Sequence, residues 1–134
     1  MPSDDLFDFA YLEPRGTRRF TLDAVHVYSA DPVVLVLEYA APGSPSRAAY
    51  ESAKLKDTKN DDLLRIVAPL VVRDWSNVCD KAKVPVPYSP AAMQSMVDGL
   101  VKHRRADILW NAMLYALNPN NFRDTPSAEQ LGKA

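Results

Sequence analysis

Val33-Val34-Leu35-Val36-Leu37-Glu38-Tyr39-Ala40-Ala41-Pro42-Gly43-Ser44-Pro45 is the stretch in which the hydrophobic pattern changes its period. Its first half is β-branched and continuously apolar, the pattern of a strand that could be covered on both faces. Pro32, just before it, cannot donate to a ladder but can precede a strand. Ala41-Pro42-Gly43 ends the run. Ser44-Pro45 then opens a helix, with Ser as N-cap and Pro at the first helical position. Strand signals lie before this stretch and helical ones after it. The reading predicts an α+β fold: an N-terminal antiparallel β-hairpin packed on about four α-helices, the C-terminal two-thirds being mostly helical.

Upstream, Arg19 to Ser29 is the partner strand. Phe20, Leu22 and Ala24 alternate with polar residues, after which Val25 and Val27 fall on the other face. A bulge near Ala24 accounts for the slip. Ala30-Asp31-Pro32 is the turn of the hairpin. Residues 4–18 read as an extended lead-in, with Glu13-Pro14-Arg15-Gly16 as a turn.

Downstream, Ala48, Ala49, Tyr50, Ala53 and Leu55 mark a short, weakly apolar helix, and Lys54 to Asn60 is a charged break. Asn60 is placed to cap the next helix, with Asp61 and Asp62 in its first turn, where the helix dipole favours acids. Leu63, Ile66, Val67, Leu70 and Val71 follow the helical stripe. Pro69 inside it removes one backbone bond and is expected to kink or split the helix. Val72-Arg73-Asp74-Trp75-Ser76-Asn77-Val78 is read as the end of that helix, and Trp75 to Ala82 as a connector. Val84-Pro85-Val86-Pro87-Tyr88 is extended, because a residue before proline avoids the α region. Ser89-Pro90 starts a helix striped by Met93, Met96, Val97, Leu100 and Val101, and Lys102-His103-Arg104-Arg105 suits its negative end. In the last helix, about residues 106–117, Leu109, Ala112, Met113, Ala116 and Leu117 share a face while Trp110 and Leu114 lie elsewhere. Asn118-Pro119 ends it. Residues 1–122 form one globular domain in this reading, and 123–134 a mobile tail.

The 134 residues suit one domain, which buries roughly two-thirds of its unfolded surface and needs no metal or disulfide staple. Sixteen basic against seventeen acidic residues leave a net charge of −1, which argues against nucleic acid as a partner. Eleven prolines against four glycines imply short elements joined by stiff connectors. A single cysteine, Cys79, excludes an internal disulfide and points to a reducing compartment. No apolar run approaches the roughly 20 residues of a membrane span. Met1-Pro2-Ser3-Asp4-Asp5 lacks the basic region of a signal peptide.

Little in the chain suggests catalysis. His26 falls in a strand, and His103 sits in a cationic helix end where capping is its expected role. Asp57, Lys59 and Asp61 superficially mimic a calcium loop, but Asp62 stands where glycine is needed and Ala68 where the closing glutamate is needed. No glycine-rich phosphate loop exists. Cys79 has an acidic neighbour, Asp80, which argues against a reactive thiolate. The expectation is a protein with no enzymatic activity, metal or cofactor, and with no nucleic-acid or membrane partner.

The informative feature is a surplus of large apolar groups. Two clean helical stripes and one strand face already supply a core, and Phe7, Phe9, Trp110, Leu114, Tyr115 and Phe122 remain. They are predicted to form a partner-binding surface, through which the chain can also self-associate.

Three segments carry a family resemblance: the Trp75-Ser76-Asn77-Val78 word, then Val84-Pro85-Val86-Pro87-Tyr88-Ser89-Pro90, then Asn118-Pro119-Asn120-Asn121-Phe122. Their order resembles the tail assembly chaperones of long-tailed (non-contractile) bacteriophages, over about residues 20–122. The chain departs from that pattern in the extra proline of Val84-Pro85 and in Asp80-Lys81-Ala82-Lys83, which replaces an Asp-Gly turn. The resemblance implies a non-enzymatic assembly factor in the host cytoplasm, absent from the mature virion. Its implied partners are the tape measure protein and the tail tube protein. Two other readings stand beside it. One is a structural head–tail joining or tail completion protein. The other is a small DNA-binding regulator, resting on Lys102 to Arg105.

Overall fold

The computed structural model describes residues 9–22 and 31–124. Helix α1 (Pro45–Leu55) starts where the sequence signals it: Ser44 accepts a hydrogen bond from the Arg47 amide, and Pro45 fills the first helical position. Helix α3 (Pro90–Lys102) starts the same way, with Ser89 accepting from the Ala92 amide. In helix α2 (Asn60–Val71) the boundary shifts by one residue. Lys59 is the N-cap and gives no side-chain bond, so Asn60 is the first helical residue rather than the cap. Helix α4 covers Asp107–Leu117, and Asn118 accepts from the Asn120 amide to start a 3₁₀ turn, Pro119–Phe122. A second 3₁₀ turn spans Ala10–Leu12.

The fold is α+β, with a three-stranded antiparallel sheet in the order β1-β2-β3. Strand β1 (Thr17–Thr21) pairs with β2 (Val34–Glu38), Arg19 lying opposite Val36. The slip proposed at Ala24 to Val27 lies outside the described residues. The third strand, β3 (Val72–Ser76), comes from residues that the sequence reading gave to a helix end and a connector. Its cause is local. Pro69 falls in the last turn of α2, so the bond it removes weakens a helix that is already ending. Val72 then takes extended angles (φ −85°, ψ 121°), and helix passes into strand with no loop between. Helix α2 therefore runs unbroken past Pro69 to Val71 and is not split.

Burial corrects two details of the pattern. In β2, Leu35 and Leu37 are fully buried, whereas Val34 and Val36 are only half-buried. The strand thus has one core face and one outer face, as antiparallel sheets commonly do. In α2 the buried side chains are Leu63, Leu64, Val67, Ala68 and Val71. Leu64 and Ala68 replace Ile66 and Leu70 on the core side, and Ile66 is 44% exposed. Helix α2 is the hub, packed against α1, α3 and α4. On its outer side Arg65 pairs with Asp98 of α3 at 3.2 Å and with Asp62 at 3.0 Å.

The chain ends are knitted together. The Arg15 amide donates to the Phe122 carbonyl at 3.1 Å. Arg123 donates to the Leu12 carbonyl and to Asn120. Asp124 accepts from Arg15 at 2.9 Å and Arg18 at 3.2 Å. The first two residues of the expected tail are therefore anchored; residues 125–134 lie outside the described ones.

Helices α1 and α3 end in the same way. After α3 the Arg105 amide donates to the Leu100 carbonyl and the Arg104 amide to Val101; after α1, Thr58 donates to Ala53 and Asp57 to Lys54. These are Schellman ends, whose left-handed residue is usually glycine. Here Arg104 (φ 58°) and Asp57 (φ 55°) take that role.

Two outcomes follow from these contacts. A left-handed residue other than glycine costs about 1–2 kcal/mol, and glycine costs about 0.5–1 kcal/mol in extra chain freedom. Arg104→Gly is expected to raise stability by about 0.5–1 kcal/mol in urea unfolding, and a loss contradicts this account. The hydrogen bond from Arg15, with Arg18 nearby, holds the Asp124 carboxyl below its ordinary value. A carboxylate so lowered steadies the fold above its unfolded pKa, near about 3.9, and loses that effect as pH falls through the lower folded value. Carboxyl NMR should place the Asp124 midpoint below about 3.9, and Arg15→Ala should move it back up.

Candidate functional site

The six residues predicted to meet a partner separate into different environments. Phe7 lies outside the described residues. Phe9 precedes the first 3₁₀ turn and is 58% exposed. Trp110 and Leu114 stand one helical turn apart on the outer side of α4. Leu114 is 43% exposed. Trp110 is half-buried and lines a shallow recess of about 260 Å³ with Asn60, Asp61, Ala106 and Asp107.

Phe122 belongs to the interior, which corrects its assignment to the surface, and Tyr115 is half-buried against the core. Phe122 has 0% exposure. The Asn118 cap turns the chain back, and the 3₁₀ turn drops the ring against Tyr39, with centroids 5.3 Å apart, and Tyr115, at 5.8 Å. The Arg18 guanidinium lies 5.8 Å above it. Tyr115 also meets Phe20 edge-on at 5.1 Å, which fastens α4 to β1. Two of the surplus aromatics thus help close the seam between residues 15–20 and 115–124.

A second region gathers the words that carry the resemblance. Trp75 is buried beneath the segment 78–88 and donates its indole N–H to the Val86 carbonyl at 2.8 Å. Tyr88 meets the Trp75 ring edge-on at 5.3 Å and donates its hydroxyl to the Val72 carbonyl at 2.5 Å. The Val86 amide donates to the Val78 carbonyl at 2.8 Å. Partial burial, then the nearby Asp74 charge, push the Tyr88 hydroxyl pKa up, opposed by Arg73.

The missing Asp-Gly turn is made differently. Asp80 Oδ1 accepts from the Ala82 amide at 2.8 Å and the Val84 amide at 3.0 Å, and Lys83 takes the left-handed angle, φ 64°. Arg73, Asp74, Asn77, Cys79 and the prolines of this segment line an open recess of about 730 Å³.

His103 caps the end of α3, exposed, and His26 lies outside the described residues. Cys79 is half-buried and bridges to Pro85. Among the described residues, no three His, Cys, Asp or Glu side chains are grouped to hold a metal ion. No described helix is long and apolar enough to cross a membrane. The sequence reading missed the difference between the sheet's two edges, because β3 itself carried no strand signal. The signal available was the β-branched pair Val71-Val72 after Pro69.

Residues 38–133, from the last residue of β2 nearly to the chain's end, match the model of a family described as YdaY prophage protein. No curated protein and no solved structure matches the chain.

The division between surface and interior is measurable. Phe122→Ala should cost about 3–5 kcal/mol in denaturant unfolding. Leu114→Ala should cost less than about 1 kcal/mol, since much of its surface is already in water. Equal costs would mean that Leu114 is core and not available to a partner.

Proposed function

Because the chain belongs to the YdaY prophage protein family, we propose that it serves phage assembly as a non-enzymatic tail assembly chaperone. In this reading it binds the tape measure protein, the tail tube protein, or both, in the host cytoplasm, and is left out of the finished virion. One observation carries the proposal. The separate words that resemble tail assembly chaperones, Trp75 to Val78 and Val86 to Tyr88, meet as one hydrogen-bonded clasp at the end of the sheet. The third word, Asn118 to Phe122, makes the turn that closes the core. All three words specify contacts of one scaffold.

The mechanism proposed is shielding. Trp110 and Leu114 on α4 offer an apolar strip to segments of tube or tape measure subunits that would otherwise associate early. Recognition by a few large side chains within a modest patch gives reversible binding, because affinity concentrates in such anchors. A chaperone requires that reversibility, since its client must be released as the tube grows.

The test is co-purification and particle composition. Tagged protein co-expressed with the prophage's own tape measure and tail tube proteins should capture at least one of them. Capture should fall at least about tenfold with Trp110→Ala plus Leu114→Ala, a loss of about 1.4 kcal/mol or more. Purified tails should lack the chain. Retention in finished particles would favour a structural joining or completion protein, and no capture of either client would remove the chaperone reading.

A further inference from the structure

We propose that the outer edge of β1 receives an extended acidic segment of another protein by strand addition. This goes beyond the tail-assembly reading and does not require it.

The register decides which groups are available. The Leu22 amide donates to the Val33 carbonyl at 2.8 Å, and the Tyr39 amide to the Gly16 carbonyl at 3.1 Å. In an antiparallel ladder these bonds alternate. Residues 16, 18, 20 and 22 therefore turn their backbone groups toward β2. Thr17, Arg19 and Thr21 turn theirs away, to the edge. The Thr17 carbonyl accepts from its neighbour Arg18 at 2.9 Å. The N–H and C=O groups of Arg19 and Thr21 have no partner among the described residues.

The opposite edge is partly taken. On β3 the Val72 carbonyl takes the Tyr88 hydroxyl, and the Trp75 amide donates to its neighbour's Asp74 Oδ1 at 2.8 Å. The β1 edge keeps both the N–H and the C=O of Arg19 and Thr21, so it offers the fuller set of groups to an added strand.

Charge selects the occupant. Arg15 and Arg18 pair with Asp124, while Arg19 stands on the outer face of β1. Glu38, on the neighbouring strand, is held by Arg73 at 2.7 Å. Arg19 is exposed and has no acidic partner among the described residues. A second copy of this chain, pairing β1 with β1, would set these arginines against each other, which is unfavourable for directly opposed like charges. An incoming acidic strand is favoured. Its alternating side chains would meet Arg19 on the outer face and the half-buried Phe20–Tyr115 pair on the inner face. Alternating acidic and apolar residues fit both, and main-chain bonds supply the affinity.

The experiment uses the full chain and a short synthetic peptide of alternating Glu and Val, with a Lys-Val peptide as control. Hydrogen exchange is followed by NMR at the Arg19 and Thr21 amides, with Trp75 as the opposite-edge reference. With the acidic peptide at about ten times its Kd, exchange at Arg19 and Thr21 should slow about tenfold and Trp75 should not change. Arg19→Glu should abolish this and transfer the effect to the Lys-Val peptide. Thr21→Pro, which removes one outward N–H and no ladder bond, should weaken peptide binding without changing the unfolding midpoint. If Thr21→Pro does not fold, the charge reversal decides alone. No slowing by the acidic peptide, or equal slowing by both peptides, overturns the proposal. Protection that grows with protein concentration in the absence of peptide also overturns it, since a second copy would then hold the edge.

Discussion

The passage from α2 to β3 at Val71-Val72, with no loop between, is the constraint on which the rest of the structure depends. Both residues are buried, so neither can move without opening the core. The junction fixes the hub helix relative to the sheet. It brings Trp75 opposite Leu35 on β2, and the 78–88 segment must then return over Trp75 to bond its indole. Strand β2, paired on both sides, becomes the centre of a sheet instead of half of a hairpin. An isolated two-stranded hairpin is marginal in water, and the third strand relieves that weakness.

The sequence made legible the features that local chemistry decides alone. Ser44-Pro45 and Ser89-Pro90 start helices because capping and proline geometry act within a few residues. Asn118-Pro119 ends α4 for the same kind of reason. What the sequence hid depends on distant partners. Val72 to Ser76 contains Arg73 and Asp74 and shows no strand alternation; it is a strand because β2 offers an edge to it. Leu64 and Ala68 face the core, in place of Ile66 and Leu70, because α2 is packed by three other helices rather than one. A single stripe drawn for one neighbour cannot record three.

The candidate surface was legible in part for a related reason. Counting apolar residues beyond the visible stripes picked out Trp110 and Leu114 correctly as lying off the main face of α4. It also counted Phe122, which the chain-end seam buries, and Tyr115, which that seam covers in part. That seam joins residues 10–20 to residues 115–124 through Arg15, Arg18, Arg123 and Asp124, over sequence separations that no local pattern reports. The surplus was real; its destination was set by long-range pairing.

The remaining exposed apolar groups are spread over several elements. Leu55 closes α1 and is 88% exposed, Ile66 is on α2, Val84 is in the 78–88 segment and Leu114 is on α4. Single exposed side chains of this kind are ordinary on soluble proteins and do not make a binding face by themselves. The described surface therefore offers no single large apolar area. A small anchor such as Trp110 with Leu114 supplies less area, and the cationic β1 edge recognises a different chemistry from the apolar strip. Main-chain groups at that edge lose water to make new bonds, so each contributes only about 0.5–1.5 kcal/mol net. Contacts of both kinds are individually weak and form and break readily. A surface built this way suits reversible contacts better than permanent ones.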